Sequence, residues 1–397
     1  MPYSQSFTPS NLYSCTTQSE RRNIGLDKDL LIHEIELCIG NSIDNGSYQF
    51  KIRTLKDLYL NDQSKGSIEY LCQDLVLRKL YNNIKRIYGV EQANRNQIVK
   101  QMVSLLKDES PKWIVRLDVR HFFESINRSR LIERFQEDGR LNYQSISLLE
   151  SLFAHPVISS EIGLPRGLSI SSVMSELYLK YLDLELRRMD GVFYYARFVD
   201  DIIIFCSDKA SQENVWNKAP YMFAQLGLQL NETKSYKWTN SQQNIKLTYL
   251  GYTFLPKWKT DIEVEIAEKK INVIKTRITK SFVRFAKDGD FEKLKNRIKF
   301  LTGNFTLYSP TTLLPVKVGI FFNYRMATNI ISLYELDKYY QKILHCRTGR
   351  LGSRLTTRMS DAQRIELTKY SFVFGFKHHV NHFFTSVMFA DITDCWL

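Results

Sequence analysis

Hydrophobic and polar positions change period along this chain, and the changes divide it into segments. Over residues 74–84 apolar side chains recur at helical spacing, and 28–110 as a whole reads as mainly helix. The stretch from Tyr48 to Leu55 alternates instead, which predicts a strand with basic residues on one face. From 111 to 256 short apolar strands alternate with helices. One of them, Trp113-Ile114-Val115-Arg116-Leu117-Asp118, ends in an acid. The run from Phe193 to Phe205 reads as two strands that meet at the acidic turn Asp200-Asp201. Beyond 256 the pattern returns to helix. Within 269–287, Ile271, Ile274, Ile278, Phe282 and Phe285 fall on one stripe and Lys270, Arg277, Lys280, Arg284 and Lys287 on the other side. The expected class is α+β, a small antiparallel sheet inside helical flanks.

Composition narrows the partners. The 397 residues are 44% hydrophobic and 13% aromatic, ample for a large core and unlike a disordered chain. No apolar run approaches the ~20 residues that span a bilayer, and the first residues lack a secretory signal. Six scattered cysteines without a C-x-x-C pair fit reduced thiols. A cytoplasmic protein without membrane contact is expected. The net charge of +13 points to a polyanion, most simply nucleic acid. The surplus gathers in 261–397, which holds 22 Lys/Arg against 13 Asp/Glu.

The sharpest chemical feature is Asp200-Asp201 inside an apolar segment, where neither charge is tolerable without compensation. Its bland alternative is a solvated turn. Asp118 ends a separate strand, where a helix N-cap is the competing role. If the two strand regions are neighbours, three carboxylates converge on one edge. Such a set suits Mg²⁺, a hard cation that takes oxygen ligands and leaves positions for water and substrate phosphates. Between them, Gly163-Leu164-Pro165-Arg166-Gly167 forms a tight loop entering a helix, which allows close approach of a nucleotide or template.

In this order the residues resemble the reverse transcriptases. Asp118 with Phe122-Phe123 matches the first palm motif, and Leu164-Pro165-Arg166-Gly167 with Ser171 the L-P-Q-G-x-x-x-S loop. Phe198-Val199-Asp200-Asp201 matches the Y-x-D-D hairpin, Leu230-Asn231-Glu232-Thr233-Lys234 the L-N-x-x-K-T element, and Tyr249-Leu250-Gly251-Tyr252 the L-G-x primer grip. The resemblance implies a right-hand polymerase: an N-terminal region and fingers over 1–110, a palm over 111–256 with the antiparallel palm sheet, and a helical basic thumb over 257–397. It implies an RNA-directed DNA polymerase, a nucleotidyltransferase that extends DNA from dNTPs with two Mg²⁺ ions, Mn²⁺ being able to substitute.

By the same resemblance, Asp118, Asp200 and the carbonyl of Val119 hold the metals, with Asp201 ligating or supporting. Phe123 screens the sugar, Arg166 and Gly167 meet the incoming nucleotide, and Lys234 approaches its triphosphate. Lys51, Arg53 and Lys65 are candidate phosphate contacts of the fingers, with Arg78 a further one unless it sits on a solvated helix face. Leu250 and Gly251 contact the primer, and Lys270, Arg277, Lys280, Arg284 and Lys287 lie along a duplex. Three positions depart from the pattern: Arg166 stands for Gln, Phe198 for Tyr and Glu176 for Asn.

Within the superfamily, residues 115–126, Arg95-Asn96 and Tyr370–Phe376 resemble the bacterial defence-associated, abortive-infection group, most of all the smaller polymerase of two-polymerase antiphage systems. That implies a structured non-coding RNA as template and a DNA product. It also implies a second reverse transcriptase subunit or a second copy as partner. Template-independent or protein-primed DNA synthesis is the competing enzymatic reading, kept open by Arg166. A catalytically idle RNA-binding scaffold is the alternative of a different class.

Overall fold

The structure, a computed structural model, describes residues 3–55, 58–108, 110–159, 162–240, 246–255, 262–308 and 315–396. The expected boundary at 256–257 lies outside them. The chain packs as two compact units, Met1–Asn94 with Pro111–Ser241, and Arg95–Ser110 with Gln242–Leu397.

The first unit is organised by the Trp113–Arg120 strand at the middle of a five-stranded antiparallel sheet. On one side it pairs with Asp201–Cys206, which pairs in turn with Val192–Phe198; on the other it pairs with Tyr236–Thr239 and Gln229–Leu230. Period-2 alternation sorts its side chains. Val115, Leu117 and Val119 enter the same core as Ile202, Ile204 and Cys206, packed with residues of the Ile68–Ile87 and Ser169–Arg187 helices. Arg116 and Asp118 therefore share the opposite face. The strand expected from Tyr48 begins at Ile52 and forms a hairpin, Ile52–Leu55 with Leu58–Asn61.

Arg78 corrects an expectation. Neither a phosphate contact nor a solvated cation, it is buried within the Ile68–Ile87 helix. Its Nη2 reaches Glu20 at 2.5 Å and Asp74 at 2.7 Å, and its Nη1 donates to the Cys15 carbonyl. An Arg can sit in a core when its fork is filled by carboxylates.

The second unit is built around the Glu268–Asp288 helix. Ile271, Ile274, Ile278, Phe282 and Phe285 are buried on one side and Lys270, Arg277, Lys280, Arg284 and Lys287 are exposed on the other, as the spacing predicts. Gly289, at φ 76°, ends the helix in the left-handed conformation and donates to the Phe285 carbonyl. Beyond 256 the chain is less purely helical than expected. It holds the Glu263–Ile266 strand, which forms a sheet with Leu247–Tyr249 and Tyr252–Leu255, and a hairpin of Asn304–Tyr308 with Pro315–Gly319. In that hairpin Phe305 faces Val318 and Leu307 faces Val316. Runs this short stabilise a strand only through the cross-strand partner, which local periodicity does not reveal. Among the described residues no helix is long and apolar enough to cross a membrane, and the six cysteines are free thiols.

Candidate active site

The register of the sheet sets the site. Asp118 lies opposite Asp201 on the neighbouring strand, so an acid two residues before the end of one strand, rather than at its end as expected, meets the acidic turn of the other. The 231–235 segment then wraps around Asp118. The Asn231 N–H donates to the Asp118 carbonyl at 2.7 Å, and the Asp118 N–H donates to Ser235 Oγ at 3.1 Å. Asn231 Oδ1 accepts from the Thr233 N–H and hydroxyl, an Asx turn that aims the next side chain back. Lys234 Nζ thereby reaches both Asp118 carboxylate oxygens, at 3.0 and 3.3 Å.

The turn carrying Asp200 is strained. Val199 has φ 59°, a left-handed backbone that a β-branched residue adopts only at a cost. Arg197, 8% exposed, braces it: Nη1 donates to the Val199 carbonyl at 3.0 Å. The rest of that guanidinium is held by Asp183, at 2.8 and 2.7 Å, and by Glu176, at 2.8 Å. Glu176, where the family pattern has Asn, is thus half of the counter-charge for a buried arginine. The Val119 N–H completes the bracing by donating to the Asp200 carbonyl at 3.2 Å.

Electrostatics separate the acids. Burial raises the Asp200 carboxyl above its ordinary range, and the nearby charge of Asp118 adds to the rise. Asp201 is pushed up to about 6 by burial, against the opposing pull of Arg116. Arg116 forks onto it with Nε to Oδ1 and Nη2 to Oδ2 at 3.1 Å each.

A cavity of about 500 Å³ opens beside these groups, lined by Val119, Phe123, Arg166, Asp200 and Lys234, with Arg120, His121, Phe122 and Asn231 completing the wall. Phe123 is partly buried, and the Arg166 Cζ lies 5.8 Å from its ring centroid. Arg166 Nε also pairs with Glu124 at 2.7 Å. The loop that presents Arg166 is fastened at both ends. The Leu164 N–H donates to the Phe123 carbonyl and the Tyr59 N–H to the Arg166 carbonyl, each at 2.7 Å. Gly167, at φ 96°, allows this approach, since a Cβ there would lie 2.7 Å from the Tyr59 carbonyl oxygen.

The structure thus brings Asp118, Val119, Phe123, Arg166, Asp200 and Lys234 to one place. Asp201 adjoins them through its pairing with Asp118, and Gly167 through its place next to Arg166 in the loop. The structure does not bring the remaining candidates there. Arg53 and Lys65 are exposed and outside the cavity lining, and Arg53 Nε faces Asp62 at 3.6 Å. Leu250 and Gly251 belong to the second unit, as a two-residue turn with φ 48° and 79°. The Leu250 carbonyl there is taken by Arg95, whose Nε and Nη2 donate at 3.0 and 2.6 Å. Arg197 and its two carboxylates escape a reading of motifs. Their signal is an arginine inside an apolar strand, with Glu176 and Asp183 seven residues apart on one helix face.

Among the described residues, no three His, Cys, Asp or Glu side chains gather as a ready metal cage. Mg²⁺ does not need one, since it is commonly held by one or two carboxylates together with waters and substrate phosphates. Asp118 and Asp200 fit that role: hard oxygen donors, partly desolvated and repelling each other until a cation intervenes. Asp201 fits less well because the Arg116 fork on it is largely buried, whereas the Lys234 ammonium on Asp118 is about half exposed and free to withdraw.

Residues 63–254 match the family model described as reverse transcriptase (RNA-dependent DNA polymerase). Similar solved structures include apo telomerase from Candida tropicalis truncated from its C-terminal domain, at 16% identity and TM-score 0.36, with 48% of this chain and 44% of that chain covered. Another is telomerase from Candida albicans in complex with a TWJ fragment of telomeric RNA, at 13% identity and TM-score 0.38, covering 81% and 50%. A further apo telomerase structure from Candida tropicalis matches at 12% identity and TM-score 0.39, covering 77% and 54%. The chain spans about half the length of these telomerase chains. No curated protein matches the sequence.

Proposed function

The chain carries a reverse transcriptase domain, the nucleotidyltransferase module of RNA-directed DNA polymerases, and from that premise we propose that it extends DNA from dNTPs on an RNA template at the Asp118–Asp200 cavity. The observation that carries this reading is the strand register that sets the Asp200 turn against Asp118, beside a cavity walled by Phe123, Arg166 and Lys234.

Asp118 and Asp200, with the Val119 carbonyl, would hold Mg²⁺. The chemistry that a bound divalent pair supplies is activation of the attacking hydroxyl and stabilisation of the leaving pyrophosphate. The chain's own residues do the rest. Lys234, about half exposed, can leave Asp118 and present its ammonium to the triphosphate as charge partner and proton donor. Phe123 fills the space that a ribose 2′-hydroxyl needs, which favours deoxynucleotides. Arg166, steadied by Glu124 and the Phe123 ring, offers a guanidinium to the nucleotide or template. Arg197 keeps the Val199 turn closed so that Asp200 stays at the cavity wall.

The wider setting of the proposal is bacterial antiviral defence in the cytoplasm. Its template is a structured non-coding RNA, and its partner a second polymerase subunit or a second copy. The support is the sequence resemblance of residues 115–126, Arg95-Asn96 and Tyr370–Phe376. The test is to purify the chain with its bound nucleic acid, sequence that material, and supply each dNTP singly with Mg²⁺. Templated incorporation is expected; none with any dNTP or RNA would overturn the polymerase reading. Asp200→Ala/Asp201→Ala should abolish phage protection, whereas an idle scaffold would keep it.

A further inference from the structure

Between Asp337 and Asp361 the sequence carries six Lys/Arg and no acidic residue. The Gly349–Arg358 helix lies in this run. It buries Gly352 and Leu355, and Met359 just beyond it is buried too. A Cβ at Gly352 would lie 2.6 Å from the Arg347 carbonyl carbon, so this face rests closely on its own unit. Once that row is buried, Arg350, Arg354 and Arg358 are forced outward at i, i+4 and i+8, each one turn (about 6 Å) beyond the last.

Arg358 is anchored: its Nη1 donates to the Lys287 carbonyl at 2.8 Å, at the C-terminal end of the Glu268–Asp288 helix. That contact draws Lys287 alongside the row and closes a groove of about 450 Å³ lined by Lys287, Ser353, Arg354, Thr357 and Arg358. Among the described residues, Arg350, Arg354 and Lys287 make no ion pair with an acid. The basic stripe expected from the sequence is differently placed. There the Arg277 guanidinium lies 5.3 Å from the Trp396 ring centroid and Lys280 donates to the Trp396 carbonyl at 3.2 Å. Arg284 pairs with Asp288 at 3.1 Å and Asp394 at 3.3 Å.

We infer that the Lys287, Arg350 and Arg354 face of this unit binds the phosphodiester backbone of RNA. Guanidinium forks match phosphate oxygens two at a time, and Ser353 in the groove lining adds a hydroxyl donor. A membrane surface suits the face poorly, because the apolar side of the helix is already buried and nothing remains to insert. The choice of RNA over DNA rests on the polymerase reading; the charge complementarity does not.

The test is fluorescence anisotropy of a labelled single-stranded RNA and a DNA duplex against the full chain over a salt series. Lys287→Gln/Arg350→Gln/Arg354→Gln should lower the slope of log K against log salt on RNA by about 2, near 0.7 for each lost phosphate contact. The charge-keeping Arg350→Lys/Arg354→Lys pair should retain the slope. An unchanged slope in the neutral variant, a slope lost in both variants, or a loss confined to the DNA duplex would each overturn the inference. Because binding is read without incorporation, a chain inactive as a polymerase can still show the effect.

Discussion

In the first unit, charges at the candidate site come in matched sets. Lys234 sits on Asp118, Arg116 forks onto Asp201, and Arg197 is clasped by Asp183 and Glu176 while bracing the Val199 carbonyl. On the Gly349–Arg358 helix of the second unit, cations stand in solvent with no acid among them. The first arrangement fixes positions, because a buried ion that loses its partner is left uncompensated in a poorly polar surrounding. The second fixes nothing locally and acts through a field that salt screens within about 8–10 Å. Changes at the candidate site should therefore be abrupt and little affected by salt, and changes on the basic helix graded and strongly affected by it.

The largest effect that would sharpen the contrast comes from the acids themselves. Asp118→Asn or Asp200→Asn keeps the side-chain shape but removes the negative charge and one of the two oxygens that a divalent ion would take. Single-turnover primer extension should fall by ~10³-fold or more, since such ions supply several kcal/mol of transition-state stabilisation. Asp201→Asn should cost markedly less, because Arg116 already occupies that carboxylate. Equal losses at Asp200 and Asp201 would break the distinction drawn between them.

Arg197 comes next. Arg197→Met strands two carboxylates in the interior and should destabilise the first unit by about 3–5 kcal/mol, or roughly 10 °C in Tm by calorimetry. Replacing the set together, as Arg197→Met/Glu176→Met/Asp183→Leu, should restore most of that stability because buried ion clusters often tolerate apolar exchange. Extension should stay depressed in the triple variant, since the Val199 carbonyl has still lost its donor. Recovery of both together would make Arg197 a packing residue rather than the brace of the turn.

These residues also show what was legible beforehand. Asp118 and the 193–205 hairpin could be read because period-2 alternation and an interrupting acid are local signals. So could the buried stripe of the Glu268–Asp288 helix. The partners of Arg197 and the Glu20 partner of Arg78 could not. Glu176 and Asp183 lie on a helix, Arg197 on a strand, and Glu20 stands 58 residues before Arg78, so only the tertiary fold joins them. The 304–319 hairpin was hidden for a related reason, each short strand being stabilised by the other. The Gly349–Arg358 row did leave a trace, an acid-free basic run, but charge alone does not say which cations stay unpaired.

Phe123 tests whether shape rather than charge governs the sugar. Phe123→Ala should reduce discrimination against ribonucleotides by about 10²-fold, the usual reach of a steric pocket against one added hydroxyl. The measurement is the ratio of kcat/KM for dNTP and rNTP on the same primer. No change in that ratio would remove the assignment.

The smallest effect is expected where the two charge regimes meet. Arg166 and Glu124 pair at 2.7 Å, yet each side chain is 46% exposed, so the pair resembles surface charge more than the clasp around Arg197. Exposed pairs contribute only about 0.2–1 kcal/mol, and Arg166→Gln should leave thermal stability nearly unchanged. The consequence should lie in binding. With the guanidinium gone from the cavity wall, KM for dNTP should rise by less than about tenfold while kcat holds, because the lost contact serves ground and transition states alike. Added salt should shrink the difference between variant and parent. A fall in kcat that salt does not touch would instead group Arg166 with the buried brace, and would move the boundary between the two regimes to the floor of the cavity.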